Sequence, residues 1–120
     1  MTLELETRRV EPDIEVVVLR GRIILGAEAQ RVEKTLADLL RQGARKVVLD
    51  LSGVDYIDST GIAVVAYGFF QMQQAAGMLR LAGATERVLR EFKMMRLDTL
   101  LGLDDTVESA CKGLAAGSGV

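Results

Sequence analysis

Three short apolar runs constrain this chain most: Ile14-Glu-Val-Val-Val-Leu19, Lys46-Val-Val-Leu-Asp-Leu51 and Met78-Leu-Arg-Leu-Ala82. Runs of this length and composition suit strands buried inside a sheet. Between them the period changes. Ala29, Val32, Leu36 and Leu39 recur at helical spacing, and Leu40 widens the stripe. Strands that alternate with helices predict parallel crossovers. Ahead of the first run, Leu3 to Val10 alternates apolar and polar through its first half, and Glu11-Pro12-Asp13 is a turn signal. The chain is therefore expected to open with a β-hairpin. The expected fold class is α/β, a single domain with a mixed β-sheet, an N-terminal hairpin and about four flanking α-helices.

The remaining segments fill in this outline. Gly21 to Gly26 reads as a connection, and Gly43 as the residue that closes the first helix. Ser52 to Asp58 reads as a loop. Ser59 or Asp58 can cap a second helix, which runs to about Gln74 and stops at Gly77. Thr85 can cap a third, with Val88, Leu89 and Phe92 on its apolar face. Thr99 to Leu103 reads as a last short strand. Asp104 and Asp105 then start a final helix with a stripe of Val107, Ala110, Cys111 and Leu114. Residues 1–114 are expected to form the domain, and the small, polar residues 115–120 a flexible tail.

Composition removes much chemistry. The chain has 120 residues, no histidine and one cysteine, Cys111. Ser-His-Asp and Cys-His catalysis and the His-x-x-x-His zinc motif are excluded, as is a disulfide within the chain. Net charge is −2, so nothing electrostatic points to nucleic acid. The longest nearly apolar run, Gly61 to Phe70, is far short of the ~20 residues that cross a bilayer. The start, Met1-Thr-Leu-Glu-Leu-Glu, has no basic segment leading into an apolar one. A cytoplasmic protein is expected, with no direct membrane insertion, no cofactor, no metal and no enzymatic turnover.

In an open α/β sheet, sites gather at the carboxyl ends of the parallel strands. That edge carries Ser52 to Ser59, with the Gly83-Ala84-Thr85 turn expected beside it. Gly21 and Gly26 have the spacing of a phosphate-binding loop, but Ala27 and Glu28 stand where Lys and Ser/Thr are needed. Asp50, Asp55 and Asp58 invite a metal or aspartyl-phosphate reading. A response-regulator receiver also needs an acidic pair after its first strand and a Lys after its last, and neither is present. Ser59 and Thr60 enter the second helix, where free backbone N–H groups and the helix dipole favour an anion. From these residues alone, two readings stay open: plain helix caps, or a site where a phosphate on Ser59 is tolerated. The helix that follows is apolar nearly all round. Ile62, Val65 and Phe69 suit the core, whereas Val64 and Phe70 suit core or interface equally.

Val48-Leu-Asp-Leu-Ser-Gly-Val-Asp-Tyr-Ile-Asp-Ser-Thr-Gly-Ile62 strongly resembles the signature of STAS domains, specifically of the anti-sigma factor antagonists. The likeness extends from about Ile14 to Ala110. It implies a STAS-like single domain that binds an anti-sigma factor serine kinase and so frees a sigma factor. It implies phosphorylation of Ser59, the Ser directly after Asp58, which ends the binding, and a phosphatase that reverses it. Asp58, Thr60, Gly61, Ala63, Val64, Gly83, Ala84 and Thr85 are the expected partner-binding residues. Gly21-Arg22-Ile23-Ile24 departs from the Gly-Glu-Leu-Asp that many antagonists carry there, which leaves the partner's identity open. Two alternatives from other classes stand beside this reading. One is a STAS adaptor subunit of a lipid-transport ABC complex, the other a small-molecule-binding α/β domain.

Overall fold

The computed structural model describes residues 3–117. It opens with the expected hairpin: β1 (Leu3–Val10) pairs antiparallel with β2 (Ile14–Ile23) across the Glu11–Asp13 turn. Then follow α1 (Ala27–Arg41), β3 (Lys46–Ile57), α2 (Ser59–Gln74), β4 (Met78–Ala82), α3 (Glu86–Met94), β5 (Gly102–Asp104) and α4 (Val107–Gly117). The sheet order is β1-β2-β3-β4-β5, and every pair after the first is parallel.

This order decides where the helices lie. Each crossover steps the same way across the sheet, so crossovers of one hand put α1, α2 and α3 on one face. Val32, Leu36 and Leu39 of α1, Ile62, Val65 and Met72 of α2, and Val88 and Phe92 of α3 pack with Val17, Leu19, Leu49 and Leu81 in one core. Below the sheet, Ala110 and Leu114 of α4 cover Ile14, Val16, Val18, Val48 and Ala82. β2 is buried on both faces, as its continuous apolar run requires.

Gly68 lets α1 and α2 approach closely, since a Cβ there would stand 2.6 Å from Leu36 Cδ1. Gly43 follows α1 with φ +98°, the left-handed conformation of a residue closing a helix.

Several boundaries differ from the sequence reading. β2 does not stop at Leu19, and the segment Ser52 to Ile57 is strand, not loop. Arg20, Gly21, Arg22 and Ile23 pair with Gly53, Val54, Tyr56 and Ile57. Between Asp50 and Gly53, and again between Val54 and Tyr56, β3 has one residue more than β2, so β3 is bulged twice. The last strand is Gly102–Asp104 and not Thr99 to Leu103. Asp104 belongs to that strand, where it accepts from Arg80 at 2.5 Å, and Thr106 caps α4 by accepting from Ser109 N at 3.0 Å. α4 continues past Leu114 to Gly117, and residues 118–120 lie outside the described residues.

Candidate functional site at the start of α2

β4 ends opposite Asp50, but β3 runs on to Ile57 with β2 alone beside it. Those seven residues, matched by five of β2, carry β3 roughly 16 Å past the end of β4, and β1 stays paired with β2 as far as Gly21. α2 begins at the tip of this ledge. Asp58 turns the chain there. Its N–H donates to the Ile23 carbonyl at 3.2 Å, and its own carbonyl accepts from Ile62 N at 3.0 Å.

The carboxylate of Asp58 has two fixed partners. One oxygen accepts from Gly61 N at 2.8 Å, which caps α2. The other accepts from Leu25 N at 2.9 Å, which ties down the connection between β2 and α1. Of the two residues that the sequence offers as caps, Asp58 takes the role. Ser59 is the first residue of α2, exposed, and its hydroxyl makes no hydrogen bond among the described residues.

Around this point the side chains differ in availability. Ala63 is exposed one turn below Ser59, and Thr60 is half-buried. Val64 is half-buried against the helix-side core. Gly61 is buried: a Cβ there would lie 2.4 Å from the Ile23 carbonyl oxygen. Its lack of a side chain lets α2 seat on β2 and offers no surface to a partner. Gly83, with φ +72°, packs against Ser52, at the foot of the ledge and not at its tip. Ala84 is half-buried on the core, and Thr85 caps α3 by accepting from Val88 N at 3.3 Å.

Leu25 and Tyr56 belong to the same edge, although nothing in the sequence singles them out. Leu25 is 72% exposed, held beside α2 by Asp58. Tyr56 is 39% exposed, with the Arg22 guanidinium 5.3 Å from its ring centroid. In the run Ile23-Ile24-Leu25 all three residues look like core, yet Ile23 is buried and Leu25 points to solvent. Ile57 is buried on the helix side, so Tyr56 turns to the opposite face of the ledge with Arg22, and the exposed apolar residues beside Ser59 are Leu25 and Ala63.

The three aspartates do not converge. Asp50 accepts from the backbone and hydroxyl of Ser52 at 3.0 and 2.7 Å, Asp55 is exposed, and Asp58 is committed to its two amides. Among the described residues no group of three His, Cys, Asp or Glu is placed to hold a metal ion. Cys111 lies on the other face of the sheet, and burial pushes its thiol above the usual range.

A family model for the STAS domain matches residues 7–110. The chain belongs to the STAS domain family. Among STAS relatives, the Bordetella bronchiseptica protein BtrV, a candidate anti-sigma factor antagonist by name, is 32% identical over 95 residues, 79% of this chain and 81% of that protein. The anti-sigma-B factor antagonist of Bacillus subtilis is 29% identical over 112 residues, 93% of this chain and 94% of its own. Among solved structures, the Bacillus protein SpoIIAA in its phosphorylated form superposes with a TM-score of 0.72 at 18% identity, over 91% of this chain and 97% of that one. The mixed five-strand sheet with four helices is the fold that this STAS chain shares with them. No helix among the described residues is long and apolar enough to cross a membrane.

Proposed function

We propose that this STAS chain is an anti-sigma factor antagonist: it docks an anti-sigma serine kinase on the surface around Ser59, and phosphorylation of Ser59 ends the docking. The capping of α2 by Asp58 carries this reading. A serine that capped its own helix would be tied to the backbone. Here the serine is exposed at the first turn, with the exposed apolar residues Leu25 and Ala63 beside it. The names of the relatives BtrV and the anti-sigma-B factor antagonist support the function, and the existence of SpoIIAA in a phosphorylated form supports the modification.

The chemistry of the switch is electrostatic. A phosphate adds ~1.5 to 2 negative charges at pH 7. In the free protein the first N–H groups of α2 receive part of that charge. At an interface the phosphate must lose water against whatever apolar or acidic group faces it. A penalty of about 3 kcal/mol weakens binding roughly a hundredfold, enough to separate the complex. A phosphatase would restore the serine. Gly83, Ala84 and Thr85, lower on the same edge, serve as a secondary contact.

The test mixes the chain, its anti-sigma kinase and ATP–Mg²⁺, maps the phosphate by mass spectrometry, and measures kinase affinity before and after. Phosphate on Ser59 with affinity lost supports the proposal. Phosphate on Thr60 alone, or equal affinity of both forms, overturns it.

A further inference from the structure

β1 is an open edge of the sheet. Its inner side pairs with β2 from Leu3 to Val10, and among the described residues no strand pairs with its outer side. The pairing with β2 runs through all of β1 without a register shift, so no bulge twists this edge away, and no proline interrupts it. The other edges are guarded. β5 is only three residues long, and the ledge of β3 is bulged twice. Nor does α1 close the middle of β1. It reaches the edge through Arg31, which donates to the Leu3 carbonyl at 2.7 Å. Beyond that contact lies an open cleft of about 360 Å³, between Leu5, Glu6 and Thr7 of the strand and Thr35, Asp38 and Gln42 of the helix side.

The charges along this edge are ordered. Leu3-Glu-Leu-Glu-Thr-Arg-Arg-Val10 is acidic before Thr7 and basic after it. Glu4, Glu6, Arg8 and Arg9 are all exposed. Glu6 approaches Arg20 of its own chain only at 3.6 Å, with both side chains more than half exposed. We propose that β1 pairs antiparallel with β1 of a second copy, which joins the two sheets edge to edge. The charge order selects this occupant. A two-fold axis presents the basic half of one strand to the acidic half of its mate, so a strand antisymmetric in charge is its own complement. The faces of the sheet then fix the register. Leu3 and Leu5 lie on the helix side, hence Glu4, Glu6, Arg8 and Val10 lie on the other. Residues directly opposite each other share a face, so each residue must meet one of its own side. Axes through Glu6, Arg8 or Arg9 set a charge against itself, and an axis through Leu5 sets Glu4 against Glu6. An axis through Thr7 avoids both. It places Glu6 opposite the partner's Arg8, once on each side of the axis. It also places Leu5 opposite the partner's Arg9, whose guanidinium then reaches the cleft beside Asp38. Glu4 to Val10 of each strand are paired in this register, with about six backbone hydrogen bonds between the copies.

Sedimentation of the full chain without any partner, from ~10 µM to ~1 mM, tests for association, and amide exchange tests where it occurs. The average mass should climb from one protomer toward two. Amides between Glu4 and Val10 should exchange more slowly at the high concentration than at the low one. Arg8→Glu sets Glu6 against a like charge, and Glu6→Arg does the same to Arg8. Each variant should weaken self-association about thirtyfold, because two opposite-charge pairs become two like-charge pairs. Both side chains are exposed, so both variants should melt close to the wild type. Mixed in equal amounts, the two variants should associate again, since every glutamate at these positions in one chain then faces an arginine of the other. A wild-type chain that stays monomeric at the highest concentration overturns the proposal. So does a mixture that associates no better than either variant alone. Association of the wild type without slower exchange in β1 would put the contact elsewhere and equally overturn it.

Discussion

Asp58 and Leu25 are 33 residues apart in sequence, yet the Asp58 carboxylate accepts the Leu25 amide at 2.9 Å while it caps α2 through Gly61 N. One side chain thus sets both the start of the helix and the position of the most exposed leucine at the ledge. Asp58→Ala removes a helix cap, which costs about 1 kcal/mol, and also the second bond. A loss of ~1–2 kcal/mol, or about 4–8 °C in melting temperature, is expected. Asp58→Asn keeps one acceptor oxygen and should fall between Asp58→Ala and the wild type in thermal denaturation.

Two glycines separate packing from helix propensity. At Gly61 an added Cβ meets the Ile23 carbonyl at 2.4 Å, and backbone cannot rotate away. Gly61→Ala should cost about 3 kcal/mol, the upper end for overpacking. At Gly68 the obstacle is the end of the Leu36 side chain, 2.6 Å away. That chain can move, and alanine recovers up to ~1 kcal/mol of helix propensity. Urea denaturation should therefore show Gly68→Ala much closer to wild type than Gly61→Ala. Equal losses would contradict this account.

Most of the fold was legible because helices and strands announce themselves by period. The ledge was not. Buried residues on the helix-side face of β3 fall at Leu49, Leu51, Val54 and Ile57. The interval is two, then three and three, because each bulge adds a residue that no partner matches. A strand with period three, carrying Ser52, Gly53 and Asp55, looks like a loop. The site was half legible. Asp58, Ser59 and Ala63, read from the sequence as candidate contact residues, lie at the start of α2, whereas Gly61 is buried packing. Leu25 was invisible, because its exposure depends on a hydrogen bond to a residue in another element.

Cys111 should behave as a quiet thiol. Burial raises its pKa, with Arg8 opposing in part. The folded state therefore binds this proton more tightly than the unfolded state. Its contribution to stability is fully present below the ordinary thiol value of ~8.5 and is lost as pH rises through the folded value. At pH 8, iodoacetamide should modify the native chain more slowly than the chain in urea, because less of the reactive thiolate is present. A native rate equal to the denatured rate would show that burial does not protect it.

Leu25 is expected to be an anchor for the partner and to matter little to the fold. It is 72% exposed, so Leu25→Ala should shift the melting temperature by less than ~2 °C, as exposed substitutions do. Truncating an apolar anchor at the centre of an interface costs about 2 kcal/mol or more, some thirtyfold in affinity. Ala63→Arg should likewise leave stability near wild type and weaken docking. Titration calorimetry against the kinase separates these outcomes. Unchanged affinity for both variants would move the docking surface away from the tip of the ledge.

Phosphorylation of Ser59 should change binding without changing the fold. The new charge lies beside the Asp58 carboxylate, and repulsion acts to drive that carboxylate away. It is, however, held by two amide donors, Gly61 N and Leu25 N, at 2.8 and 2.9 Å. The phosphate itself stands at the first turn of α2, where the N–H groups of Ser59 and Thr60 have no carbonyl partner within the helix. Attraction to those donors and to the helix dipole, about 0.3–1 kcal/mol for an exposed charge, offsets much of the repulsion across solvent. The melting temperature of the phosphorylated chain should stay within ~3 °C of the unmodified one. Amide shifts in NMR spectra should be confined to Ile24–Gly26 and Asp58–Ala63. Ser59→Asp should reproduce only part of the loss of kinase affinity, since a carboxylate carries about one charge where phosphate carries ~1.5 to 2. Shifts spread through β4 and α3 would instead mean that the modification works by rearranging the domain.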